Sequence, residues 1–173
     1  MNDILGWMSS KELEWLSEQS KYMSSIVELG SYRGRSTSAL LSGCKGTVYA
    51  VDKFNDEEYH PLPGYTVPTT NSMLEDFKSN VGHHKNLQIV QMDTVEASKY
   101  LPDVDMVFID SSHEYEHTLS ELKAWNPKTR KLICGHDYPG WPGVERSVNE
   151  FFGQLPLTID SIWYFMKDSS IKN

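Results

Sequence analysis

Cysteine is nearly missing from this chain: there are two in 173 residues, Cys44 and Cys134, far apart and without a partner spacing. That excludes a disulfide framework or a zinc-ligand pattern and points to a reducing, cytoplasmic setting. No run approaches the ~18 apolar residues of a membrane span, and the first residues show no leader pattern, so neither insertion nor export is expected. Positive charge is scarce as well. Sixteen Lys and Arg against 24 Asp and Glu leave a formal net charge of −8. A nucleic-acid backbone is therefore not the expected partner, whereas a divalent cation stays open. No internal repeat, low-complexity tract or shift in composition divides the sequence, which reads as a single domain over 1–173; a homo-oligomer stays open.

What is present is a regular alternation. Ser9-Ser10-Lys11-Glu12 is a capping-box pattern opening a leading helix over about 9–23, within residues 1–24, expected to cover the sheet edge. Apolar runs at 25–29, 47–51, 87–92, 104–109 and about 131–135 read as strands. Between them lie helical patterns over about 34–43, 71–82, a short one from Thr94, 113–125 and one from Pro142. Over 113–125, Tyr115, Leu119 and Leu122 are expected to face inward. Leu155–Ile159 and Ile162–Met166 have no helix between them and read as an antiparallel terminal pair. The order predicts an α/β fold: a three-layer sandwich around a doubly wound, mainly parallel seven-stranded sheet with an antiparallel terminal strand. Residues 53–70 lose all periodicity and read as an active-site loop, in which His60 can close over a ligand.

The strongest local signal is Ile26-Val-Glu-Leu-Gly-Ser-Tyr-Arg-Gly-Arg-Ser-Thr37. A buried strand ends, the backbone turns over two glycines, and a helix opens. Gly30 and Gly34 lack the Cβ that would keep a ligand off the backbone. The next strand ends in Asp52, where an α/β nucleotide site holds ribose hydroxyls. Together these imply an adenosine-bearing ligand; a plain turn and a loop-capping acid are the alternatives. The Gly-x-x-x-Gly spacing departs from the Gly-x-Gly-x-x-Gly of nicotinamide enzymes.

Asp110 and Asp137 each follow a predicted strand, and the two strands are expected to be neighbours. Their carboxylates then converge on one cleft next to His136, a candidate octahedral site for Mg²⁺ or a similar cation. A turn-opening role for Asp137 and helix-capping around Asp110 are the alternatives. His113 is a candidate general base, although Ser111-Ser112-His113-Glu114 is also a capping box that places it in the first turn of a helix. Arg33 and Arg35 face either a ligand carboxylate or solvent. Tyr138, Trp141 and Trp163 are candidates for the wall of a second pocket.

Four pieces in this order, Glu28-Leu-Gly30-Ser-Tyr-Arg-Gly34-Arg-Ser36-Thr37, Val51-Asp52, Phe108-Ile-Asp110-Ser-Ser-His113-Glu-Tyr115-Glu116 and Gly135-His136-Asp137-Tyr138, make the chain resemble the Rossmann-like (class I) S-adenosylmethionine (SAM)-dependent methyltransferases. It is similar to their small O-methyltransferase branch, with antibiotic-sugar methyltransferases and cephalosporin-hydroxylase-like proteins, over nearly its whole length. The resemblance implies SAM lying against Glu28, Gly30, Ser31, Gly34 and Ser36, with its ribose on Asp52 beside Lys53. Its adenine edge falls near Asp93 and Thr94, and Asp110 closes the site. The acceptor implied is a hydroxyl of a small molecule, a sugar or diol, with His113 and Asp110 as catalytic residues. Several relatives hold a divalent metal, which implies Asp110, His136 and Asp137 as ligands. There are two departures: Asn126–Lys131 replaces a Pro-Gly-Gly turn, and Ser111-Ser112 stands where relatives carry Gly-Asp or Gly-Gly, which removes one candidate base. Metal-independent N-methylation and a non-catalytic SAM-binding module are the rival readings.

Overall fold

The computed structural model describes residues 4–55 and 72–167. From residue 56 on, the loop expected over 53–70, His60 included, lies outside the described residues. In chain order the elements are α1 (Ser10–Ser20), β1 (Ser25–Leu29), α2 (Arg35–Gly43), β2 (Thr47–Asp52), α3 (Met73–Val81), β3 (Leu87–Gln91) and α4 (Thr94–Ala97). They continue with β4 (Val104–Ile109), α5 (Tyr115–Trp125), β5 (Thr129–Gly135), α6 (Pro142–Phe152), β6 (Leu157–Ile159) and β7 (Ile162–Met166). A 3₁₀ turn, Asn126–Lys128, fills the gap before β5 where a Pro-Gly-Gly turn is missing.

The strands form one seven-stranded sheet in the order β3-β2-β1-β4-β5-β7-β6. Pairings are parallel from β3 through β5, and β7 runs antiparallel to both of its neighbours. This is the doubly wound sandwich that the alternation predicts. Successive strand residues point to opposite faces, and the core divides accordingly. Ile26, Met106, Phe108 and Leu132 pack with residues of α1, α2 and α3, while Val27, Val107, Ile109 and Ile133 pack with residues of α4, α5 and α6. Helices on both faces explain why β4 is buried at every position and reads as an apolar run broken only by Asp105.

Two local expectations need correction. The leading helix does not cap a sheet edge: Leu13 and Leu16 pack with Leu40 of α2 over one face. Only its start reaches the β6–β7 turn, where Ser9 Oγ and Lys11 Nζ contact Asp160 at 2.9 and 2.8 Å. In α5 the inward face is Thr118, Glu121, Leu122 and Trp125 rather than Tyr115 and Leu119. Trp125 sets this rotation, being fully buried with its Nε1–H donated to Thr94 O at 2.8 Å.

At the end of β5 the sheet tolerates no side chain. A Cβ on Gly135 would stand 2.5 Å from Ile109 O, a ladder atom, and 2.6 Å from the buried ring of Trp163. Gly135→Ala is expected to destabilise the fold by at least about 1–3 kcal/mol, seen as a lowered urea midpoint at unchanged m-value. A midpoint equal to the parent's would contradict this packing.

Candidate active site

Strand register assembles the site. Leu29 pairs with Val51 on one side and with Ile109 on the other, and Ile109 pairs with Gly135. The residues that follow, Asp52, Gly30, Asp110 and His136, therefore stand in one row at the carboxyl ends of four parallel strands, where open α/β sheets bind ligands. Ladder hydrogen bonds continue into the row: Asp110 N donates to Leu29 O at 2.7 Å and His136 N to Ile109 O at 3.0 Å. Because Ile109 faces the α4–α6 core, alternation turns Asp110 and His136 toward the side of α1 and α2.

The row floors a cleft of about 880 Å³, within the ~300–1,000 Å³ usual for small-molecule sites. Gly30, Ser31, Ser36 and Asp52 line one part of it, and Lys53, Asp93 and Thr94 another. Asp52 also builds the turn: its Oδ2 accepts from Ser31 N (2.8 Å) and Tyr32 N (2.9 Å), and its Oδ1 from Phe54 N (2.7 Å). Asp93 is the N-cap of α4, accepting from Val95 N and Glu96 N with Oδ1 and leaving Oδ2 3.4 Å from Lys53 Nζ. Burial works against its charge, but those amides and Lys53 hold its carboxyl below the usual range.

Two of the expected donor-site residues do not line the cleft. Glu28 shares the sheet face of Ile26 and points under α2, where its Oε2 accepts from Ser31 Oγ (2.7 Å) and Thr37 Oγ1 (2.5 Å). It is fully buried, and Oε1 has no hydrogen-bond partner among the described residues. Gly34, at φ 91°, serves close packing: a Cβ there would meet Val81 Cγ2 at 3.0 Å and Phe77 Cδ2 at 3.3 Å on α3. Neither arginine is simply solvated. Arg33 is buried with its Nε on Asp76 at 2.8 Å, and Arg35 donates to the carbonyls of Ile4 (2.7 Å) and Met8 (3.0 Å).

The second half of the cleft gathers charge. One ligating atom each from Asp110, His136 and Asp137 lies within 4.8 Å of the others. His136 Nδ1 stands 3.2 Å from Asp137 Oδ1 and 3.7 Å from Asp110 Oδ1, while Nε2 stands 3.2 Å from Glu12 Oε1. Burial disfavours the imidazolium, but hydrogen bonds to Asp137 and Glu12 and the field of Asp110 outweigh it and push the pKa up to about 11. The two aspartates diverge. Asp110 is raised well above the usual range by burial, with only partial relief from His136. Asp137, half-buried, is lowered because both His113 and His136 hydrogen-bond to it, although burial works against its charge.

His113 is not in a helix turn. The N-cap of α5 is Glu114, without a side-chain cap, and Ser112 Oγ accepts only from Glu114 N. The released His113 sets its Nε2 2.8 Å from Asp137 Oδ2 and stacks on Trp141, centroids 3.8 Å apart at 9°. Trp141 lines the cleft, whereas Trp163 is core and Tyr138 is buried with its hydroxyl on Asn149.

Other parts of the site carried no sequence signal. Leu5, Gly6, Trp7 and Met8 form one wall, clamped through the main-chain contacts of Arg35. Glu12 reads as a helix-start acid and nothing in its spacing announces the contact with His136. His117 also lines the cleft, its pKa raised by the hydrogen bond to the buried Glu121 beneath it.

Residues 27–138 match the model of a family described as a methyltransferase domain. Among solved structures the chain is similar to a Staphylococcus aureus protein provisionally named a caffeoyl-CoA O-methyltransferase, at 15% identity and a TM-score of 0.71, over 96% of this chain and 87% of that one. It is also similar to an O-methyltransferase from Bacillus cereus in complex with S-adenosylhomocysteine (SAH), at 14% identity and a TM-score of 0.61, over 85% and 69% of the two chains. An SAH-bound methyltransferase from Podospora anserina gives 13% identity and a TM-score of 0.64, over 91% and 78%. At such identities the likeness is one of fold. No curated protein matches the sequence significantly.

Glu28 makes stability depend on pH. Burial, only partly offset by hydroxyl hydrogen bonds, raises its pKa from 4.5 to about 7. The folded state then holds the proton more tightly than the unfolded state, so this contribution is complete below pH 4.5 and is lost as pH rises toward 7. Glu28→Gln is expected to gain on the parent by up to ~3 kcal/mol across that window, measured by urea unfolding at stepped pH. Parallel curves for the two proteins would show that Glu28 does not titrate there.

Proposed function

The chain belongs to the methyltransferase-domain family and is a SAM-dependent methyltransferase, and from that premise we propose that it methylates a hydroxyl oxygen of a small molecule, a sugar or diol-like acceptor, with a divalent cation held by Asp110, His136 and Asp137. The observation that carries this reading is the convergence of those three ligating atoms in the same cleft that Gly30 and Asp52 line. The donor set fits a cation. Neighbouring ligands on a six-coordinate ion with ~2.1 Å bonds stand ~3 Å apart, and His136 Nδ1 lies 3.2 Å from Asp137 Oδ1 and 3.7 Å from Asp110 Oδ1. One imidazole with two carboxylates suits Mn²⁺ or another first-row ion as well as Mg²⁺. Bound there, a divalent cation supplies a Lewis acid that lowers the pKa of an acceptor hydroxyl.

The chain's own residues do the rest. Asp52 holds the turn at Ser31 and Tyr32 in shape for the donor, beside the ribose. His113 takes the acceptor's proton: Asp137 orients the ring through Nε2, and Nδ1 has no hydrogen-bond partner among the described residues. The methyl–sulfur bond of the sulfonium breaks as the methyl–oxygen bond forms, the hydroxyl proton passes to His113, and SAH departs as a neutral thioether. Alignment of donor and acceptor supplies much of the acceleration. The net charge of −8 supports a small acceptor over a nucleic acid. A metal-independent course is the second reading, favoured by His136 Nδ1 standing 3.2 Å from Asp137 Oδ1 and 3.7 Å from Asp110 Oδ1, where a protonated ring supplies positive charge to both aspartates.

Asp52→Ala removes the acceptor of three amides and the carboxylate beside the ribose. SAM affinity is expected to fall by ~1.5–3 kcal/mol, about ten- to hundredfold by calorimetric titration; unchanged affinity moves the ribose elsewhere. Turnover of SAM to SAH with sugar and diol acceptors is expected to stop in excess chelator and return with Mn²⁺ or Mg²⁺. Asp137→Asn is expected to lose at least about 10–100-fold in rate while binding SAM like the parent. Full methyl transfer in chelator overturns the metal and leaves His136 as the cationic group.

A further inference from the structure

A capping-box glutamate needs only one oxygen, and it usually stands at an exposed helix start. Glu12 is different. Its Oε2 accepts from Ser9 N at 2.7 Å, which completes the box. Its side chain is nonetheless 3% exposed, and Oε1 reaches beneath the cleft to His136 Nε2 at 3.2 Å and Ser161 N at 2.8 Å. A carboxylate drawn out of water to this degree must be compensated by hydrogen bonds, and Glu12 accepts three, from Ser9 N, His136 Nε2 and Ser161 N, in three separate stretches of the chain. It also lies outside residues 27–138, the part matched by the family model.

The consequence falls on the far nitrogen of His136. Each ring nitrogen faces a carboxylate at 3.2 Å, Nε2 that of Glu12 and Nδ1 that of Asp137, and a cation between Asp110 and Asp137 would displace the hydrogen on Nδ1 while Glu12 keeps the one on Nε2. With Glu12 at Nε2, the atom left facing Asp110 and Asp137 is Nδ1. We propose that Glu12 is a positioning residue that fixes His136 in the Nε2–H form, so that Nδ1 is the nitrogen offered to a cation between Asp110 and Asp137. This rests on the metal reading above. Partners of this kind orient a ligating histidine and raise its basicity.

The test uses the metal alone. Co²⁺ titrated into the full chain, followed by its visible absorption, is expected to show one site in the parent. Glu12→Gln keeps a carbonyl oxygen for Nε2–H while its NH2 takes the place of the oxygen that faces Ser9 N, so it gives up the capping box, and it is expected to bind within about threefold of the parent at a lowered melting temperature. Glu12→Leu is expected to lose about 10–100-fold in Co²⁺ affinity with SAM affinity unchanged. Ser9→Ala, which weakens the cap of α1 but leaves the His136 contact, is the control for a merely structural role; it is expected to lower the melting temperature and leave Co²⁺ affinity in place. Should Glu12→Leu fail to fold, nitrogen-15 NMR of the parent loaded with diamagnetic Zn²⁺ decides the point alone, with a proton on Nε2 and metal on Nδ1 as the expected pattern. A parent that binds no Co²⁺ removes the metal reading itself and this inference with it. A parent that binds, with Glu12→Leu unchanged or with Zn²⁺ on Nε2, overturns the role of Glu12 alone.

Discussion

At the tip of β1 backbone meets backbone: the space that a Cβ on Gly30 would fill is taken by the carbonyl oxygen of Asp110, 2.2 Å from where that atom would stand. With φ at 84°, a conformation glycine adopts without steric cost, the chain turns off the strand while β1 and β4 still lie in full register. Everything at the carboxyl edge follows from that contact. Asp52 reaches across to the amides of Ser31 and Tyr32, and Asp110 is left beside His136. The four strand ends share one floor instead of splaying apart.

Four acids then crowd a small volume: Glu12, Glu28, Asp110 and Asp137. A low-dielectric interior does not hold so many like charges without compensation. The structure deals with them unequally. Asp137 has an imidazole on each oxygen and stays ionised; Glu12 is tied to His136 and two amides and is held below the usual carboxylate range, although burial opposes its charge. Glu28, with an oxygen that has no partner, and Asp110, 3.7 Å from its nearest imidazole nitrogen, are pushed the other way. Asp110 is thus the acid with most to gain from added positive charge in the cleft, and Asp137 the one that ties His136 to His113.

The sheet was legible because its code is local. Strands buried on both faces read as largely apolar runs, interrupted at Glu28 and Asp105, and the acid or glycine ending each one marks where the chain leaves the core. Those same ends placed Asp52, Asp110, His136 and Asp137. What was not legible depends on neighbours distant in sequence. Glu28 looks like a cleft residue until alternation turns it under α2, and Gly34 looks like ligand clearance until α3 packs on it. His113 fits a capping pattern, yet the pull of Asp137 and the ring of Trp141 keep it out of the helix. The rotation of α5 followed a single indole hydrogen bond that no periodicity records, and Glu12 gave no sign beyond its helix start.

Arg35 holds the wall at residues 4–8 by its main-chain oxygens, not by its side chains. A clamp on carbonyls is indifferent to which residues carry them. Leu5, whose side chain is exposed, can therefore be exchanged without loosening the segment, whereas Trp7 also packs its ring on Tyr32, centroids 5.5 Å apart, and ties the wall to the glycine turn. Ile4 and Met8 pack against the core and Gly6 lies on the Arg35 side chain, so the leading segment is a fixed panel with one replaceable face, and Leu5 is the position to vary when that wall of the cleft is to be reshaped.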